Sequence, residues 1–344
     1  MAARQARARA RVCVCVCVCG CDLPLSPAPD EKGTANMSRQ AARAAQNLEK
    51  ALSRTSQQRP YSRLITSRAT SQHARIPTTP SRAFSTSASP RHGHSSVDPS
   101  EVSHFNNLAS SWWDPHGPSR ILHLMNQLRH PFIQRCLSSQ PTAPPPRLRY
   151  LDVGCGGGIF AESAARQRTT QSVLGIDPTP EVLAVAEAHK RQDPLLTEPG
   201  RLTYRNIAVE QLPLPATPHD GFDVVSCFEV IEHVSMPAVF LQTLMPHVRP
   251  GGWLVMSTIA RTWTSWATTN LIAEDILGIV PRGTHDWNKY INKEELSGWF
   301  LKQEGWERPT VMGVMYIPGF GWKEVKGSED WGNYFFAVRR REAS

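Results

Sequence analysis

The stretch Leu151-Asp152-Val153-Gly154-Cys155-Gly156-Gly157-Gly158-Ile159 decides the fold. The apolar run 149–153 predicts a short strand, the glycines a tight turn, and 160–168 a helix. The same order repeats downstream. Residues 173–177 predict a second strand, and 180–191 a helix that opens on proline, where a missing N–H costs least. A third strand is expected at 204–209 and a valine-rich fourth at 222–228. A helix at 237–247 stops at Pro250-Gly251-Gly252, and 253–258 supplies a fifth strand. Residues 310–317 and 333–339 add two more. Strands alternating with helices mean α/β: a mainly parallel seven-stranded sheet over 147–341, with helices on both faces.

Upstream, residues 98–140 predict an N-terminal helical segment. Val102, Phe105, Leu108 and Trp112 recur at helical spacing, Pro115, Gly117 and Pro118 interrupt, and Ile121, Leu124, Met125, Leu128, Phe132 and Ile133 form a second stripe. The proline-rich stretch 140–146 is a stiff linker to the sheet domain.

Residues 1–95 read differently. The 344-residue chain carries a formal charge of +8, but this leader holds 15 Lys and Arg against 4 acids, so the remaining body is slightly acidic. That charge balance argues against nucleic acid as the body's partner. Five of the eight cysteines occupy every second position from Cys13 to Cys21, separated by valines and by Gly20, a low-complexity run, and translation is expected to begin at Met37. Between Met37 and His94 lie nine arginines and one acid, Glu49, among many Ser, Thr, Ala and Gln. That is the composition of a mitochondrial transit peptide, with 38–53 able to form an amphipathic helix and Arg82-Ala83-Phe84-Ser85 resembling a processing site. The body's Cys136, Cys155 and Cys227 lack any zinc-finger spacing and read as reduced and structural.

A glycine turn between a first strand and a first helix seats a ligand at the carboxyl edge of the sheet, because glycine lets the backbone approach closely. An acid at the end of the second strand can take a ribose diol there, and Asp177 stands 23 residues after Gly154. A dinucleotide site requires G-x-G-x-x-G/A, whose sixth position is Ile159 here. The turn therefore suits S-adenosylmethionine, which has no pyrophosphate to cradle. Asp152, Gly154, Gly156 and Asp177 are its candidate ligands.

These motifs, with Phe222-Asp223-Val224-Val225 and Pro250-Gly251-Gly252, resemble those of class I methyltransferases. Four further stretches narrow the resemblance. They are Phe105-Asn106 through Ser111-Trp112-Trp113-Asp114, 126–129, Phe228-Glu229-Val230-Ile231-Glu232-His233-Val234, and Pro281-Arg282-Gly283-Thr284-His285-Asp286-Trp287. Together they resemble the ubiquinone-biosynthesis O-methyltransferases, which act on polyprenyl-dihydroxybenzoate in mitochondria. The resemblance implies a class I fold and cofactor contacts at Arg129, Gly154, Asp177 and Phe228. It implies magnesium at Glu229, Glu232 and His233. It also implies polyprenylated catechol or hydroquinol substrates, a peripheral position on the matrix face of the inner membrane, and a complex with other ubiquinone-biosynthesis proteins. One departure is Ala260, where the family has Asn before the arginine.

Methylating a phenol requires its anion, scarce near neutrality because a phenol's pKa is about 10. A base or a metal ion supplies the difference. Glu229, Glu232 and His233 stand at i, i+3 and i+4, so one helical turn would bring them to one face for a hard divalent ion. The alternative is that Glu229 and His233 cap the helix or hydrogen-bond the cofactor. His285 is a candidate base or substrate clamp, or a loop histidine paired with Asp286. Arg129 could hold a carboxylate of the cofactor or of a benzoate, or form a salt bridge. Residues 263–280 carry Trp263, Trp266 and an aliphatic stripe, which suits core, a lid or an interfacial helix in an insertion at 261–290. No apolar run reaches 18 residues, so no spanning helix is expected. Rival readings are a methyltransferase for a small soluble phenol and a non-catalytic scaffold.

Overall fold

The computed structural model describes residues 95–261, 289–317 and 319–342. Residues 1–94, residues 263–280 and His285 lie outside the described residues.

Among the described residues eight strands form one sheet: β1 (Leu148–Val153), β2 (Thr170–Ile176), β3 (Leu202–Arg205), β4 (Phe222–Phe228), β5 (Val248–Ile259), β6 (Thr310–Ile317), β7 (Gly321–Glu324) and β8 (Asn333–Arg339). Their order is β3-β2-β1-β4-β5-β8-β6-β7. The first five pair in parallel, and β8 inserts antiparallel between β5 and β6. The described helices are α1 (Pro99–Leu108), α2 (Arg120–Ser139), α3 (Ile159–Ala165), α4 (Pro180–Lys190), α5 (Pro237–Leu244) and α6 (Lys293–Phe300).

The central strands are apolar on both faces because helices cover both. Successive side chains alternate between two cores. Tyr150, Val224 and Phe335 join Phe132 and Phe160 in one, while Leu151, Val225 and Phe336 join Leu241 and Phe300 in the other. Cys136, Cys155 and Cys227 are buried free thiols.

Several boundaries differ from the sequence reading for local reasons. Helix α3 stops at Ala165, short of residue 168, where the Thr170 hydroxyl donates to the Ala164 carbonyl at 2.7 Å. Helix α5 ends at Leu244 and tightens into a 3₁₀ turn, Met245–His247, because Pro246 has no N–H for the α register. The third strand ends at Arg205 rather than residue 209. The sheet has an eighth strand, β7, of four residues without a buried position, which no apolar pattern announces.

Strand order reverses between β1 and β4, both neighbours of each other but connected to opposite wings of the sheet. A crevice outside the carboxyl ends of these strands is the expected ligand position. Among the described residues, no helix is long and apolar enough to cross a membrane.

Candidate active site

The turn after β1 is built around glycine. Gly154, Gly156 and Gly158 all have positive φ, +68°, +52° and +87°. At Gly156 an added Cβ would stand 2.6 Å from the Trp112 ring, so the indole can lie against the turn only because no side chain is there. The neighbouring Trp113 indole N–H donates to the Gly157 carbonyl at 2.8 Å. The segment between α1 and α2 thereby closes one side of the turn.

Asp177 follows β2 and is buried. It accepts from the Gly156 N–H at 2.9 Å and from the Thr179 N–H at 2.8 Å, which ties the glycine turn to the end of the second strand. Burial raises its pKa. Asp152, on β1, is also buried and accepts from the Ser226 hydroxyl of β4 at 2.7 Å. Burial pushes its pKa up to about 7.

Arg129 from α2 is buried with its guanidinium 4.6 Å from the Phe228 ring centre. Its Nε has no hydrogen-bond partner. Burial lowers its pKa, against the pull of Glu229 and Asp152. A buried cation with unused donors is an anion receptor, since leaving it unmatched is costly.

Phe228 ends β4, and the backbone then turns sharply. Glu229 has φ +56°, the one non-glycine residue with positive φ among those described. Such a backbone costs about 1–2 kcal/mol and is characteristic of functional sites. Its Oε1 is buried and unpartnered, while Oε2 accepts from the Asn333 amide at 3.4 Å. Glu232 is buried and accepts from the Thr258 hydroxyl at 2.9 Å. Burial, reinforced by the neighbouring Glu229 charge, raises its pKa. His233 meets Glu101 of α1, Nδ1 to Oε2 at 3.0 Å. Burial opposes the imidazolium, yet the Glu101 hydrogen bond and the charges of Glu232, Glu101 and Glu229 hold its pKa above the ordinary value.

Arg129, Asp152, Asp177, Phe228, Glu229, Glu232 and His233 line one cavity of about 570 Å³, together with apolar groups such as Met125, Val314 and Trp322. The residues fit S-adenosylmethionine: a side-chain-free cradle, a buried acid beside it for a ribose diol, and a buried guanidinium for a carboxylate. The expected magnesium triad is not assembled. Glu229, Glu232 and His233 would share a face on an α-helical turn, but the chain forms a 3₁₀ turn at Ile231–His233 after the kinked Glu229. The three side chains go to Asn333, Thr258 and Glu101. Among the described residues no trio of His, Cys, Asp or Glu is arranged to hold a metal ion.

Glu101, Ser226 and Asn333 were not singled out from the sequence. Glu101 belongs to a helix whose apolar stripe reads only as packing, and Ser226 and Asn333 become neighbours of the acids only through strand pairing.

The acid pair makes a pH-dependent expectation. Asp152 holds its proton to about pH 7 in the folded chain, against about 4 when unfolded. Its contribution to stability is therefore present below pH 4 and lost as pH rises through 7. A cationic ligand reverses the balance by favouring the carboxylate. Affinity for S-adenosylmethionine should accordingly rise from pH 6 to pH 8 with proton release, and Asp152→Asn should flatten that rise. Calorimetry in buffers of different ionisation enthalpy measures both.

A family model described as "Methyltransferase domain" matches residues 121–308. The chain is 39% identical to "Ubiquinone biosynthesis O-methyltransferase, mitochondrial" of Candida albicans, over 72% of this chain and 86% of that protein. It is 45% identical to the protein of the same name from Schizosaccharomyces pombe, over 65% of this chain and 77% of that protein. A bacterial relative, "Ubiquinone biosynthesis O-methyltransferase" of Methylobacterium nodulans, is 38% identical over 71% of this chain and 96% of its own length.

Proposed function

The chain belongs to the ubiquinone biosynthesis O-methyltransferase family, and from that premise we propose that it methylates a ring hydroxyl of polyprenylated catechol or hydroquinol intermediates. S-adenosylmethionine supplies an activated methyl group; what the chain supplies is position, exclusion of water and removal of a proton. Asp177 would hold the ribose diol, the turn from Gly154 to Gly158 would take the cofactor against its backbone, and Arg129 would fix a carboxylate over Phe228. Asp152 would face the positive charge.

The observation that carries the reading is the position of His233. It lines the same cavity as the glycine turn, and three carboxylates around it raise its basicity. A phenol ionises near pH 10, so a base closer to neutrality must take its proton as the methyl group arrives. The apolar remainder of the cavity keeps water from competing. A cavity of about 570 Å³ is filled by a nucleoside cofactor and an aromatic ring, so a prenyl tail of tens of carbons must extend beyond it. Each CH₂ of that tail favours lipid by about 0.8 kcal/mol, so the enzyme must meet its substrate at a bilayer.

The finer placement follows the same logic. The arginine-rich, acid-poor leader suits a mitochondrial address, which the names of the fungal relatives also carry. We place the protein on the matrix face of the inner membrane, peripherally bound, working with other proteins of quinone synthesis.

Purified protein given S-adenosylmethionine labelled in its methyl group should label a prenylated dihydroxybenzoate in lipid vesicles. Labelling only of short, soluble catechols would favour the small-phenol reading. Unchanged cellular quinone in Glu232→Ala cells would favour the scaffold reading.

A further inference from the structure

We propose that the tip of the β6–β7 hairpin is a surface that touches a phospholipid bilayer and sets the mouth of the cavity where a prenyl tail leaves the lipid. This placement rests on the reading of the acceptor as polyprenylated and names the element that meets the membrane.

Strand direction puts the hairpin at the same edge of the sheet as the glycine turn. Strand β8 is antiparallel to both β5 and β6, so β6 runs the same way as the five parallel strands. The turn that follows β6 therefore lies at the carboxyl edge, as the turn after β1 does. The hairpin also walls the cavity, through Val314, Met315 and Tyr316 of β6 and Trp322 of β7. Trp331 lines the cavity too, and it is 58% exposed, so the cavity reaches the surface there. Continuing the β6–β8 register beyond Val314 and Asn333 brings Trp331 level with Tyr316, whose pair across the hairpin is Trp322.

Beyond this wall the hairpin turns apolar side chains outward. Among the described residues six large apolar side chains are exposed. Leu195, Leu214 and Leu301 follow three different elements, whereas Ile317, Phe320 and Trp331 belong to this one corner. Phe320, at the tip, is 74% exposed. The tip has a fixed shape: Gly319 and Gly321 have φ +82° and +72°, and the Phe320 N–H donates to the Ile317 carbonyl at 2.9 Å. The Trp322 indole and the Arg135–Glu324 ion pair fasten its base to α2. Burying an aromatic ring held in water is favourable, and neighbouring Trp and Tyr rings suit the headgroup level of a bilayer. Lys323 and Lys326 stand exposed beside the tip for lipid phosphates. The nearby acids are matched within the protein, Glu324 by Arg135 and Asp330 by Lys293. A tail longer than the cavity needs an apolar exit, and the row Tyr316, Trp322 and Trp331 supplies one next to this tip.

Flotation with phosphatidylcholine vesicles, without any substrate, tests this. Ile317→Ser combined with Phe320→Ser should lower partitioning at least about tenfold, since two large apolar side chains no longer enter lipid. Tm and affinity for the demethylated product should be unchanged, because neither residue lines the cavity. Leu214→Ser, at another exposed apolar position, should bind vesicles as the wild type does. Adding phosphatidylglycerol should strengthen wild-type binding, and Lys323→Gln with Lys326→Gln should remove that gain. Partitioning of the Ile317 and Phe320 variant within twofold of wild type, or an equal loss in Leu214→Ser, would overturn the assignment. A wild-type dimer that dissociates in the hairpin variant while vesicle binding holds would also overturn it, since the patch would then meet a second copy of the chain. If the hairpin variant loses vesicle binding but the wild-type enzyme labels no prenylated catechol, the substrate reading fails and the membrane surface stands.

Discussion

Asp177→Ala should weaken binding of S-adenosylmethionine and of its demethylated product by about two orders of magnitude or more. The carboxylate is buried at the end of β2 and already bonds two backbone N–H groups that shape the cofactor turn. Burial works against its charge, and two ribose hydroxyls would supply the donors that offset this cost. A hydrogen bond to a charged group contributes about 1.5–3 kcal/mol, so losing two removes about 3 kcal/mol or more, a factor of about a hundred or more in Kd. Asp177→Asn keeps one acceptor oxygen and should lose less. Calorimetry with the demethylated product reads both variants without any turnover. An affinity within threefold of wild type in the Ala variant would remove the ribose role and with it the cofactor pose.

What was legible in the sequence was whatever local chemistry dictates. The glycine turn, the acid after the second strand and the alternation of strands with helices each follow from a few adjacent residues, and β6 and β8 lie where the apolar runs put them. Strand β7 escaped because its four residues are packed by a hairpin partner and by the Trp322 indole N–H donating to the Ile121 carbonyl, 201 residues away in sequence. The site was legible in its residue types but not in its directions. The spacing of Glu229, Glu232 and His233 predicts one α-helical face. The positive φ of Glu229 and the tighter 3₁₀ turn after it send the three to different partners. Those partners sit on β8, β5 and α1, and their proximity is a property of the folded sheet rather than of any spacing.

His233→Gln should lower kcat by two to four orders of magnitude, the range of a lost general base, while leaving affinity for the demethylated product near wild type. Product affinity should survive because the turn, Asp177 and Arg129 do not bond the imidazole in the structure. The size follows from the acceptor's own ionisation. With a pKa near 10, about one phenol in a thousand is an anion at pH 7, and without a base the enzyme must wait for that fraction. The variant's rate should therefore climb about tenfold for each pH unit from 7 toward 9, as the substrate ionises unaided, while the wild-type rate stays nearly flat. A variant whose rate is low but equally flat would show that His233 packs the site rather than accepting the proton. The substrate gives an independent control. A catechol carrying an electron-withdrawing substituent ionises nearer neutrality, has less need of a base, and should lose least on His233→Gln.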